Sequence, residues 1–159
     1  MNRENLAIYL NDHLAGSVAA LELLEHLVAA TKNSAHEAFF RSLNQDVAAD
    51  QDVLRSLLEK LPASESITRK AGAWLVEKVA RVKLRMDAPA GSVMERVEAL
   101  EALLLGITGK AALWRALAAS REKFADVDFD ELAQRAEQQI ETVEAKRIEA
   151  AREAFGKNG

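Results

Sequence analysis

Apolar residues recur at three- and four-residue steps through four long stretches of this chain, a period that only α-helices can bury on one side. The first stretch runs from about Glu4 to Thr31. Leu6, Leu10, Leu14, Ser17, Leu21, Leu24 and Val28 share one face of it. Asn33 can end this helix. Ser34-Ala35-His36-Glu37 then reads as a capping box, with Ser34 as the cap and Glu37 reaching back. The second stretch carries Phe39, Phe40, Leu43, Val47, Leu54, Leu57, Leu58 and Leu61, and Pro62 stops it. The third begins at a second box, Ser92-Val93-Met94-Glu95, and carries Val97, Leu100, Leu104, Ile107, Ala111, Trp114 and Ala118. The fourth begins at Asp128-Phe129-Asp130-Glu131 and carries Leu132, Ala136, Ile140, Val143, Ala150 and Ala154. Residues 156–159 should fray.

The turn between the first two helices is short, which makes them antiparallel neighbours. About 30 residues separate the second from the third. A link of that length can run the height of a bundle and leave those two helices parallel. It holds a shorter helix at about residues 66–87, with Trp74, Leu75, Val79, Val82 and Met86 as its stripe. That segment is basic, through Arg69, Lys70, Lys78, Arg81, Lys83 and Arg85, and suits a solvated face, an acidic partner or an anionic lipid surface. The expected fold is all-α: one antiparallel four-helix bundle over residues 1–159, with one long crossover carrying an extra helix.

In this layout the chain resembles the ferritin-like superfamily. The phrases Leu10-Asn11-Asp12-His13-Leu14-Ala15-Gly16 and Leu105-Gly106-Ile107-Thr108-Gly109-Lys110 are similar to those of small bacterial ferritin-like proteins of unassigned function. The resemblance implies a bundle and names no activity. Di-iron members of that superfamily place Glu-x-x-His motifs on two helices, and no Glu-x-x-His occurs here. On a helical wheel Glu22 and His26 fall on the outer side of the first helix. Glu95 and Glu98 fall on the outer side of the third. No metal site and no cofactor are therefore expected.

Composition narrows the remaining classes. A net charge of −4 argues against a nucleic-acid protein. The absence of Cys removes thiolate ligands and thiol nucleophiles. No apolar run approaches the roughly 20 residues that span a bilayer. The expectation is a cytoplasmic chain.

Polar residues inside the apolar stripes carry what is left. His13, Asp50, Thr108 and Gln139 fall near one level of the bundle and form a candidate ligand site. A buried carboxylate needs a partner, and His13 is the nearest by folding the first two helices about Asn33. Glu101 and Arg147 form a second candidate pair. The central set reads as a satisfied network that fixes helix register, as a site for one polar small molecule or a few ordered waters, or as a site for a single residual metal ion. Gly16, Gly106 and Gly109 cost roughly 1 kcal/mol each inside helices and suggest close backbone approach. These observations lead to a non-enzymatic bundle acting through self-association, most simply as a homodimer, or through a partner protein. The alternatives are a metal-binding or oxidase protein with atypical ligands and a small-molecule binder using the polar cluster.

Overall fold

The computed structural model describes residues 3–61, 89–120, 124 and 126–156. Four helices account for most of them: α1 (Arg3–Ala30), α2 (Glu37–Glu59), α3 (Val93–Ala118) and α4 (Phe129–Phe155). No strand occurs among the described residues. The expected crossover helix at about 66–87, with Trp74 and the basic residues, lies outside them. So do residues 157–159 of the expected frayed tail.

The helix boundaries follow local chemistry. Asn33 sits at φ 63°, in the left-handed region that Asn tolerates better than most residues, and reverses the chain after α1. Ser92 and Asp128 cap α3 and α4: each side chain accepts from the backbone N–H three residues on, at 3.1 and 3.0 Å. The box at Ser34 differs from expectation. The N-cap of α2 is His36, in helical conformation and without a side-chain cap. Ser34 Oγ accepts from His36 N at 3.2 Å, and Glu37 Oε2 accepts from Asn33 N at 2.8 Å. The left-handed turn at Asn33 uses up the residues a regular box would need, so the motif serves the turn.

α1 packs on α2 and α3 packs on α4, and the two pairs meet where α1 faces α3. Leu10, Leu24 and Leu27 of α1, Phe40 and Leu57 of α2, Leu103, Leu113 and Trp114 of α3, and Val143 of α4 are fully buried. At one end Trp114 stacks on Phe129 with centroids 6.2 Å apart, and Phe124 meets Phe129 edge-on at 6.1 Å. Trp114 is a core residue.

α2 and α4 are amphipathic. α1 and α3 are apolar on more of their circumference, and Ile8 and Tyr9 on α1 and Met94 and Leu105 on α3 are exposed. Leu105 is 70% exposed, the most of these four. α1 also revises one expectation. At 28 residues it is long and apolar enough, by length and composition alone, to cross a membrane. The buried core helices of soluble proteins pass the same test.

Candidate ligand cavity and buried ion network

α2 carries an acidic residue, Asp50, on its buried face, with a side chain only 4% exposed. Desolvating a carboxylate costs several kcal/mol unless cations and donors replace the lost water. Asp50 finds them on two other helices. Lys110 Nζ of α3 donates to Asp50 Oδ2 at 2.5 Å, and the guanidinium of Arg135 on α4 donates to Oδ1. Lys110 Nζ also donates to Gln139 Oε1 at 2.6 Å. Lysine is donor-only, so the Gln139 carbonyl must face it and the amide nitrogen must point away. That nitrogen, like Nε of Arg135, is buried without a hydrogen-bond partner.

Lys110 itself is largely enclosed. Burial pushes its ammonium below the ordinary lysine value, the Asp50 carboxylate pulls it back up, and Arg135 adds a repulsion that lowers it again. One carboxylate is thus shared by two cations, and the more buried of them, Lys110, is partly desolvated.

A cavity of about 370 Å³ opens beside this network, between α1, α2 and α3. Asp50 and Lys110 stand in its wall. Val47, Leu54, Leu103, Ile107 and Leu113 give it an apolar body, and Tyr9, Asp12 and His13 add polar groups from α1. Gln51, another buried polar residue of α2, donates to Ser17 Oγ at 3.0 Å, and the Ser17 hydroxyl donates in turn to the Leu14 carbonyl at 2.7 Å. This chain ties α2 to α1 along the same wall.

Three glycines, Gly16, Gly106 and Gly109, line the cavity. Close backbone packing does not explain them. A methyl group built on Gly16 or Gly106 would meet nothing within 4 Å, and on Gly109 only His13 Cε1, at 4.0 Å. They keep space open instead of letting backbones touch.

The residues singled out from sequence are distributed as follows. Asp50 and Gln139 are buried in the network. His13 is half-buried in the cavity wall, its ring edge-on to Tyr9 with centroids 4.7 Å apart. Thr108 is exposed and bonds back to the Leu104 carbonyl at 2.8 Å, so it leaves the cluster. The inward polar residue of that turn is Lys110, whose long apolar stem carries its charge to Asp50. The Glu101–Arg147 pair also needs correction. Arg147 makes two hydrogen bonds to Glu144, one turn away on its own helix, at 2.6 and 2.8 Å. Glu101 is exposed and contributes only a longer-range attraction. A neighbour on the same helix is already in place, whereas Glu101 would have to be ordered from another.

Sequence reasoning missed Lys110, Arg135 and Gln51. Lys110 had a visible signal: it is the only charged residue between Glu101 and Arg115. Arg135 and Gln51 had none, since both sit at the edges of ordinary amphipathic stripes.

A second polar contact lies nearer one end of the bundle. Glu95, expected outside, is 5% exposed. Its Oε2 accepts from Gly91 N at 2.5 Å, and its Oε1 lies 2.8 Å from His26 Nε2 on α1. The capping role draws this carboxylate inward, and His26 meets it there. Among the described residues no group of three or more His, Cys, Asp or Glu side chains is placed to hold a metal ion. No protein-family model, curated protein or solved structure matches the chain.

Proposed function

We propose that this chain is a small-molecule-binding helical bundle, with its ligand in the cavity between α1, α2 and α3. One observation carries the reading: three helix-interior glycines line a single cavity beside a buried ion network. Each glycine costs its helix about 1 kcal/mol relative to alanine, and none is needed for close packing. Local rules broken at one place without structural return point to function there. The cavity also has the ordinary anatomy of a ligand site, a mainly apolar lining with few polar groups and a volume within the usual 300–1,000 Å³.

We further infer a ferritin-like order of helix directions. Arg96 pairs with Glu153, Lys110 with Gln139 and Arg115 with Glu137, so positions rising along α3 meet positions falling along α4. His26 meets Glu95 and His13 neighbours Gly109, the same opposition between α1 and α3. Antiparallel α1–α3, antiparallel α3–α4 and a tight α1–α2 turn together leave α2 and α3 parallel. The resemblance to ferritin-like bundles then concerns architecture without their metal chemistry.

Titration with 1-octanol, followed by amide NMR, tests the ligand reading. The signals of Gly16, Gly106 and Gly109 should move together, and Gly106→Trp, which fills the space, should abolish the shift. Octanol leaving those signals unmoved, or binding Gly106→Trp as well as the parent, would overturn it. A second reading, self-association as a dimer, is favoured by Tyr9 and Leu105, two exposed apolar side chains that both line the cavity, and by exposed Ile8 next to Tyr9 in the chain. Sedimentation giving only the single-chain mass, with the parent and with Leu105→Lys alike, would remove it.

A further inference from the structure

We propose that Lys110 captures an aliphatic aldehyde in this cavity as a reversible imine, and the proposal rests on the cavity being a ligand site. Lysine becomes a nucleophile when it is desolvated or held beside a second cation. Lys110 meets both conditions. Its side chain is 12% exposed, and it shares the Asp50 carboxylate with Arg135. Lys110 belongs to the wall of the 370 Å³ cavity with Asp50, the acceptor of its Nζ, while Val47, Leu54, Leu103, Ile107 and Leu113 offer an alkyl chain a place out of water. The remaining charged group in that wall, Asp12, is exposed. The polar end of the cavity therefore combines an amine with a carboxylate 2.5 Å away that can take and return its proton.

The step balances without an outside oxidant or reductant. Asp50 takes a proton from the Lys110 ammonium. The freed amine attacks the carbonyl carbon, a C–N bond forms, and the carbonyl electron pair moves to oxygen. A proton passes from nitrogen to that oxygen and gives a carbinolamine. Asp50 returns its proton to the hydroxyl, the C–O bond breaks, and water leaves as C=N forms. Ammonium and aldehyde become iminium and water, and Asp50 ends ionised. The iminium keeps one N–H to donate to Asp50, so the carboxylate stays paired. Only Gln139 loses its donor.

Other lysines provide the internal comparison. Lys60 and Lys146 have side chains 42% and 37% exposed and sit in surface ion pairs with Asp126 and Glu149. Neither lines this cavity. Full-length protein is incubated with a limiting amount of octanal and sodium cyanoborohydride, which reduces an imine to a stable amine, and alkylation is mapped by peptide mass spectrometry. Lys110 should carry most of the octyl group. Gly106→Trp should lose that adduct with its lysines intact. Lys110→Arg, which keeps a cation against Asp50, should lose it while still binding 1-octanol. Alkylation spread over Lys60 and Lys146 with Lys110 unmodified would overturn the imine. If octanol still shifts the cavity signals in that case, the ligand reading stands alone. If octanol fails as well, both fall.

Discussion

Asp50 and Arg147 both look inward by helical periodicity, yet the structure provides for them in opposite ways. Asp50 gathers partners from two other helices and is almost sealed from water. Arg147 settles on Glu144 of its own helix, with its side chain 23% and that of Glu144 39% exposed. The difference is one of depth. A carboxylate far inside a bundle has no water to fall back on, so the long side chains of neighbouring helices must come to it. A guanidinium near the rim takes the nearest carboxylate, and a neighbour one turn away needs little ordering. Periodicity reports which way a residue points and says much less about how deep it lies.

The sharpest way to break this comparison is to remove the buried carboxylate. Asp50→Ala leaves Lys110 enclosed without its anion and should cost about 3–5 kcal/mol in urea unfolding. Asp50→Ala with Lys110→Met should cost less than the sum of the single changes, since the two share one interaction. Strict additivity would mean the ion pair contributes nothing as a unit.

Alkaline titration probes the same network. The folded value of Lys110 lies below its unfolded value of 10.5. Between the two, the unfolded chain binds more protons, so this lysine's contribution to stability grows as pH rises toward 10.5 and is lost as pH falls through the folded value. Lys110→Gln should flatten that rise. An unchanged slope would show that Lys110 titrates as it does in water.

Next in size come the caps. Ser92→Ala should cost about 0.5–2 kcal/mol, because its hydroxyl accepts a first-turn N–H of α3. Ser34→Ala should cost less, since Ser34 serves a turn ahead of α2. Equal losses at both sites would contradict the helix start at Glu37.

Gly106→Ala should instead stabilise the fold by roughly 0.5–1 kcal/mol, as the added methyl group meets open space. Thermal denaturation would detect it, and a loss would mean that the backbone there is closer to a neighbour than it looks. At the small end, Arg147→Ala should leave the unfolding midpoint unmoved at moderate salt, as surface pairs commonly do.

The helices were legible because their signals are local. Three- and four-residue spacing marked α1 to α4, and the boxes at Ser92 and Asp128 marked two of the starts. The box at Ser34 misled because the pattern S-x-x-E does not record the left-handed residue before it. Asp50 was legible as a buried charge, but its partners were not. Lys110 belongs to a helix that is apolar nearly all round, where a wheel gives no sharp inside, and Arg135 reaches in from a mostly polar edge. Thr108 was drawn into the cluster from the edge of the α3 stripe, where a small rotation about the axis decides between core and solvent, and its side chain is exposed. The cavity depends on residues without side chains, and helical periodicity cannot count what is missing.

The span of the Asp50 contacts along the chain has a kinetic consequence. They reach 60 residues to Lys110 and 85 to Arg135, whereas α1–α2 and α3–α4 each close over one short connection. Joining distant segments loses more chain entropy than closing a short loop, so neighbouring helices should associate first and the carboxylate should meet its cations late. Changes at Asp50 should then act on the lifetime of the folded protein more than on the time it takes to form. In a chevron experiment the unfolding limb would rise and the folding limb would barely move. A network that sits at the centre of the finished molecule would be among the last parts of it to assemble.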